Sequence, residues 1–509
     1  VAKASSFDEL ACQFVWENAK YIIEHDQETF GTAKSPLVIP EGAMLEFRGG
    51  CFKGGYVSLN DFVQNDVLYP VWKNVKFLYP TSNYIKKGFQ NKYLRPEWFG
   101  AVGDGDTDDS IAMQQCIDVA KNCGVMVYLS SKRYLMTRTI QLYSGNHIEG
   151  CISGNLDRNL QIGAALVFKL AESQKIAIDL YSSNGVTDPS GCYKFIINRI
   201  GIINLKEQIS DVGIRLSTEN NTAPREGIID NVFIRNFETG ILANSLSYMK
   251  FSNICLFQFK TGFKFDKVGK YLEFAWLNEV YMNTNESDAI GIDINSGNNL
   301  YFDKIDVNDC NIGVWLHADY PLFSIFFSRI NLTRCVTCVD IKADSSHITR
   351  LNFSGITLDY FSHGFVFDRS GSYNIGDSAF SEVFDSTSST NNLFFNKDSS
   401  LGLRSCLFEK IRALGGVFGL SNVRKLEMLN VPSFGEFIMP AGVQSFVYTV
   451  VDRSVIDFVP MVIVDCAVRN IAYSVRVENT QFSELKIIVK TETILTESIR
   501  FKYLFPQLN

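Results

Sequence analysis

The chain has 509 residues, more than one compact core usually holds, so its length predicts either several domains or one repeating solenoid. Charged residues make up 20 % and the formal net charge is −7, which leaves no basic footprint for nucleic acid or an anionic membrane. No apolar run approaches the roughly 20 residues that a membrane-spanning helix needs, so no membrane insertion is expected.

The opening stretch VAKASSFDELACQFVWENAKYIIEH carries charges throughout and lacks the apolar core of a signal peptide. Leu10, Ala11, Phe14, Val15 and Ile22 recur at near-helical spacing, which predicts an amphipathic helix over residues 7–25. From Pro36 the pattern turns to short β runs broken by Pro and Gly, with Leu45 and Phe47 alternating against Glu46 and Arg48. The 12 cysteines are too dilute for a disulfide framework, and Cys255 and Cys310 fall at apolar positions. This predicts folding in a reducing cytoplasm, with the Cys335 to Cys338 pair serving as packing.

RPEWFGAVGDGDTDDS, residues 95–110, gathers five acidic side chains and three glycines. Gly103 and Gly105 suit turn geometry, and Thr107, Asp108 and Asp109 suit the N-cap and first turn of a following helix. In that helix, SIAMQQCIDVAKNCG, residues Met113, Cys116, Ile117 and Ala120 share one face, and Gly124 suits the C-terminal cap. A Ca²⁺ site is the competing reading of the carboxylates, but no loop of EF-hand spacing is present and no metal is assigned. VMVYL at 125–129 then reads as a buried strand.

Residues 195–430 repeat. The segments DNVFIRNFETGI, SNICLFQFKTGF, NEVYMNTNESDAIGI, DKIDVNDCNIGV, SRINLTRCVTCV and SGITLDYFSHGF align on Gly240, Gly262, Gly291, Gly313, Cys338 and Gly364, which are 22, 29, 22, 25 and 26 residues apart. A drifting period with apolar alternation and no helical stripe predicts a β-solenoid of stacked parallel rungs. Val232, Ile254, Val280, Ile305, Ile330 and Ile356 then form one inward column. Composition changes at 430–442, and YSVRVE and LKIIVK beyond it alternate as strands with one wet face do.

Residues 95–136, followed by IQLYSGNHIEG, resemble the opening unit of the pectate-lyase-like right-handed parallel β-helix family, which includes phage tailspikes and bacterial polysaccharide-degrading enzymes. The resemblance implies an all-β chain: a right-handed single-stranded parallel β-helix (β-solenoid) with a short helical N-terminal region and a small C-terminal β domain. The expected divisions are 1–94, 95–430 and 431–509. The resemblance also implies that the acidic motif is structural. Polygalacturonase-like members carry NTD, a paired DD and GHG on successive turns. This chain offers only Ser-His-Gly at Ser362–Gly364, where His363 is expected at a rung corner.

If the rungs align as above, Asn231, Asn253, Glu279, Lys304, Arg329 and Gly355 form one outward column. Phe233, Cys255, Tyr281, Asp306, Asn331 and Thr357 form the next. Diagonal neighbours in a sheet lie ~7–8 Å apart, which places Glu279 and Asp306 inside the ~6.5–9.5 Å window of an inverting glycosidase. The candidate catalytic residues are therefore Glu279, Asp306, Arg329 and Lys304, and the candidate substrate-binding residues are Tyr281, Asn331, Trp315 and His317. A lyase reading uses Arg329 or Lys304 as the base. A plain ion-pair ladder along the face is the competing reading. Trp276, Tyr281, Trp315 and Tyr360 are candidates for stacking on sugar rings, with Trp315 expected to be exposed. His317, Asp340 and Lys342 are the next candidates should the first set fail.

The resemblance and the flanking regions imply a tailspike-like protein that binds and depolymerises a bacterial capsule or other surface polysaccharide, without a cofactor. The expected setting is a homotrimer in a virion tail, contacting other phage tail proteins after synthesis in the host cytoplasm. A non-catalytic tail adhesin and a secreted or cell-surface bacterial lyase or hydrolase are the alternatives.

Overall fold

The computed structural model describes residues 1–79, 88–151, 163–182, 192–205, 209, 211–218, 223–267, 272–343, 346–369, 375–385 and 392–396, together with the later strands within 406–504. Two compact units form, Val1–Cys255 and Leu256–Lys267 with Tyr271–Asn509.

The first unit begins with a short solenoid that the sequence reading had not separated from a generic β region. Lys20–Ile23 pairs in parallel with Ala43–Phe47, which pairs with Phe62–Gln64. Gln27–Glu28, Phe52–Lys53 and Trp72–Lys73 make a second such sheet, and Leu37–Ile39, Tyr56–Leu59 and Lys76–Leu78 a third. Rings fill its interior, with Phe14 stacked on Tyr21 at 4.7 Å and Phe52 on Trp72 at 5.1 Å. The helix expected over 7–25 is confined to α1, Phe7–Ala11, whose N-cap Ser6 accepts from Glu9 N. The chain turns at Asn18 (φ 54°), and the aromatic and β-branched run Tyr21-Ile22-Ile23 goes into a strand, where such side chains pack on a pleated surface.

The acidic motif joins a strand to the expected turn geometry: Asp104 and Asp108 pair with Arg133 and Leu135 across a register shift, with Gly103 and Gly105 at φ 70° and 87°. The Asp104 carboxylate accepts from Thr107 N and Asp106 N, which pulls its pKa down to about 2. Asp108 accepts from Ser110 N at 3.0 Å and Thr137 Oγ1 at 2.8 Å. Asp109 holds the N-cap position, yet its side chain makes no cap bond. It turns back to accept from Val102 N at 2.7 Å and Gly103 N at 3.0 Å. The expected cap role therefore passes to Asp108, because the two amides behind Asp109 are the donors its carboxylate reaches. The helix itself, α2 (Ser110–Cys123), buries Met113, Cys116, Ile117 and Ala120, and Gly124 closes it at φ 69° with its N–H on Ala120 O. Parallel coils follow: Met126–Tyr128, His147–Glu149 and Ile196–Asn204 in one column, and Ile140–Gln141, Ile176–Ser182 and Val212–Thr218 in another.

In the second unit we label β1 (Leu272–Asn283), β2 (Ile290–Ile294), β3 (Gly297–Asn308), β4 (Ile312–His317), β5 (Leu322–Thr333), β6 (Thr337–Ala343), β7 (Ile348–Asp359) and β8 (His363–Arg369). Every strand pairs in parallel with the next but one, β1–β3–β5–β7 and β2–β4–β6–β8. Two interleaved parallel columns mean that each pair of strands is one coil of a β-helix, wound right-handed as parallel crossovers are. The inward column is in register, Val280 with Ile305, Ile330 and Ile356, all at most 2 % exposed.

The repeating glycines have a steric cause. A Cβ on Gly262, Gly291 or Gly313 would lie 2.5, 2.5 and 2.6 Å from the carbonyl oxygens of Gly291, Gly313 and Cys338 on the following coil. Stacked backbones at that spacing leave no room for a side chain. Past Asn430 the pairing changes character: Ser445–Val451 and Tyr473–Thr480 both lie antiparallel to Glu484–Thr491, and Phe434–Met439 and Met461–Asp465 both lie antiparallel to Ile499–Leu504.

Candidate functional site

The predicted outward column is a line of corners rather than the face of a flat sheet. Glu279, Lys304, Arg329 and Gly355 take left-handed φ values of 58°, 55°, 55° and 68°, and the ladder register skips them. Each bends a long strand, which a second left-handed residue near its start, Phe274, Asn299, Ser324 or Arg350, bends again. The side chains at the corners pair with carboxylates: Lys304 Nζ lies 2.5 Å from Glu279 Oε1, and Arg329 forks onto Asp303. Beside Asp303 the guanidinium holds its proton even more firmly than usual.

Tyr281, Asp306 and Asn331 stand in register on the flat segment beyond the corner. Asp306 is half-buried rather than solvated. Burial raises its pKa, while Asn308 Nδ2 at 2.9 Å and Asn331 Nδ2 at 3.2 Å donate to it and work the other way. The Tyr281 ring lies 5.5 Å from that of Phe257. In the first unit the same expectation fails, because Phe233 and Cys255 are buried at 1 % and 5 % exposure, not outward. Trp276, Tyr301 and Phe326 form an aromatic ladder on the segment before the corner, with interplanar angles of 5° and 4°. Their faces cover one another, leaving edges for solvent.

Trp315 and His317 belong elsewhere, on β4, with a different set of neighbours. Strand β2 places Asp293 in register with Lys264 on one side and Trp315 on the other, and Trp315 is in register with Asp340 of β6. His317 donates from Nε2 to Asp293 Oδ1 at 2.7 Å, the carboxylate oxygen fixing which ring nitrogen carries the proton. Its imidazole lies on the indole of Trp315, centroids 3.9 Å apart at 25°. Trp315 is therefore half-buried rather than exposed as expected, because one part of its surface is taken by the imidazole.

The contacts close into a ring. Lys264 Nζ is 3.9 Å from Asp293 Oδ2 and 3.5 Å from Asp266 Oδ2. Asn295 Nδ2 donates to Asp266 Oδ1 at 2.6 Å and Asp319 Oδ2 at 3.5 Å, and His317 Nδ1 is 3.9 Å from that same Asp319 oxygen. Asp293 is the deepest member, with 5 % of its side chain exposed. A buried carboxylate fixed by an imidazole beside an indole is an arrangement able to hold a sugar and move a proton. Among the described residues, no group of three or more His, Cys, Asp or Glu side chains is arranged to hold a metal ion.

Sequence reasoning found Trp315, His317, Asp340 and Lys342 but missed Asp293, Lys264, Asp266, Asn295 and Asp319. A signal was present for all but Asp319. Positions two and four beyond each anchor, Lys264 and Asp266 after Gly262, Asp293 and Asn295 after Gly291, Trp315 and His317 after Gly313, trace the two outward columns.

The coils define a parallel β-helix protein with a polar and aromatic outward face. Residues 97–335 match the family model described as Rhamnogalacturonase A/epimerase, pectate lyase-like. A comparison with curated protein sequences gives no match. Similar solved structures include ORF18 of Geobacillus virus E2, at 10 % identity over 82 % of this chain and 79 % of that one, with a TM-score of 0.46. PfbA, a surface adhesin of Streptococcus pneumoniae, aligns at 12 % identity over 70 % and 88 %, with a TM-score of 0.44. The gp42 tailspike of Acinetobacter phage vb_AbaP_AS12 aligns at 9 % identity over 83 % and 84 %, with a TM-score of 0.42.

Proposed function

We propose that this chain binds a bacterial surface polysaccharide and cleaves its glycosidic bonds, as a tailspike-like homotrimer of a phage virion. The observation that carries the reading is the Asp293–His317–Trp315 constellation, lying within the segment that matches a polysaccharide-active family. Trp315 offers apolar surface to a sugar ring. Asp293 and Asp340 flank it one coil on either side, so their backbones are about twice the ~4.8 Å strand spacing apart. Carboxyl groups leaning inward from there suit the ~6.5–9.5 Å that an acid, a base and an intervening water require. Asp293, oriented by His317, is the base in this scheme, and Asp340 protonates the leaving oxygen.

Glu279 and Asp306 are the second pair for the same chemistry. The ion pair on Glu279 and the two amides on Asp306 make them the weaker choice. The deciding experiment incubates purified protein with capsular polysaccharide and follows new reducing ends. Their release without unsaturated-product absorbance supports hydrolysis. Binding without release makes the protein an adhesin, the alternative consistent with a fold that does not itself dictate activity. Light scattering tests the trimer, and removing residues 443–509 is expected to weaken it.

A further inference from the structure

The charge of the face around Trp315 bears on which sugar it accepts. This inference rests on the proposed saccharide site and narrows its substrate class. On the two outward columns, Asp266, Asp293 and Asp340 face Lys264 and Lys342, and Asp319 adds a fourth carboxylate beside His317. Farther out, Lys267, whose ammonium lies 5.2 Å over the Tyr320 ring, and Asp368, in register with Lys342, offset each other in charge. Carboxylates thus outnumber cations at the site. Lys264 is also committed, lying between Asp266 and Asp293, while Lys342 stands in register between His317 and Asp368. The cations of the neighbouring corners are spent in the same way, Lys304 on Glu279, Arg329 on Asp303 and Arg334 on Asp309.

A carboxylate only accepts hydrogen bonds, so a face built this way recognises donors: sugar hydroxyls, or the ammonium of an amino sugar, which the indole also attracts. Among the described residues, a uronate brought there meets a net excess of like charge, the repulsive element by which a site rejects a competitor. We propose that the sugar residue seated on Trp315 is a hydroxyl-rich neutral or amine-bearing unit, and that uronate-containing repeats are excluded from this face.

The test is a panel of purified bacterial capsular polysaccharides whose repeat units are neutral, amino or uronate-bearing. Binding of the full chain is compared with that of Trp315→Ala and Trp315→Phe, with melting curves confirming that each variant is folded. The expected result is binding confined to neutral or amino repeats, lost in Trp315→Ala and kept in Trp315→Phe. Neutralising the ring with Asp266→Asn and Asp319→Asn together is expected to narrow the gap between neutral and uronate polymers by about tenfold in Kd. Trp315-dependent binding to a uronate polymer overturns the substrate class while leaving the saccharide site standing. Binding that ignores Trp315, or no binding to any polymer, overturns the site itself and this inference with it.

Discussion

His317 Nε2 donates to Asp293 Oδ1 at 2.7 Å from the next coil of the β-helix, while the same imidazole lies 3.9 Å, centroid to centroid, from Trp315. One ring therefore fixes both a buried carboxylate and the aromatic beside it. If Asp293 is the general base, Asp293→Asn should lower turnover of capsule at least ~10²-fold, the usual contribution of such a group. The amide oxygen can still accept from His317 Nε2 but the ion pair with Lys264 is lost, so the melting midpoint should fall modestly while the fold is kept. His317→Gln should lower kcat with a smaller change in KM, since the imidazole positions the base. Full activity in both variants would transfer the chemistry to Glu279 and Asp306.

Glu279→Gln and Asp306→Asn should each retain activity within a few-fold and differ in stability. Glu279 loses an exposed ion pair, worth under ~1 kcal/mol. Asp306 runs the other way. Burial raises its folded-state pKa above the unfolded value of about 3.9, so its ionisation opposes folding at neutral pH, and that penalty disappears as pH falls through the folded value. Asp306→Asn should therefore melt at or above the wild-type temperature at pH 7, with the gap closing below about pH 4. Thermal melts across that range check the sign.

Two glycines should fail for different reasons. Gly291→Ala places a methyl 2.5 Å from Gly313 O and from Val307 Cγ1, an overpacking expected to cost ~1–3 kcal/mol or more. At Gly355 the surroundings are at ordinary contact distance, and only the left-handed φ of 68° resists a side chain. Gly355→Ala should cost ~1–2 kcal/mol, and Gly355→Asn less. Denaturant midpoints distinguish the two.

In the acidic motif, Asp108→Ala removes the bond to Ser110 N at the start of α2 and should cost ~0.5–2 kcal/mol. Asp109→Ala strands the amides of Val102 and Gly103 and should cost ~1–3 kcal/mol. Both should leave saccharide binding intact. Lost binding with an unchanged melting curve would show that the motif touches the ligand.

The sequence by itself determined the coil and its register. Inward positions repeat with period two, so Val280, Ile305, Ile330 and Ile356 could be aligned before any coordinates, and the anchor glycines recur because the stacked backbones exclude a Cβ there. The buried face of α2 and its Gly124 cap were legible for the same reason: local periodicity and one special φ encode them. Tertiary structure alone decided where the outward positions point. The left-handed residue at Glu279, Lys304 or Arg329 turns a strand that reads as flat, and side chains on either side of it then leave the common face that period-two counting gives them. Charged residues take that conformation in these three coils, and only Asn231, Asn253 and Gly355 at the same column position are of the types that favour it. The ring of Asp293, His317, Lys264 and Asp266 joins residues up to 53 positions apart, and only the stacking of successive coils brings Asp293 within reach of both His317 and Lys264.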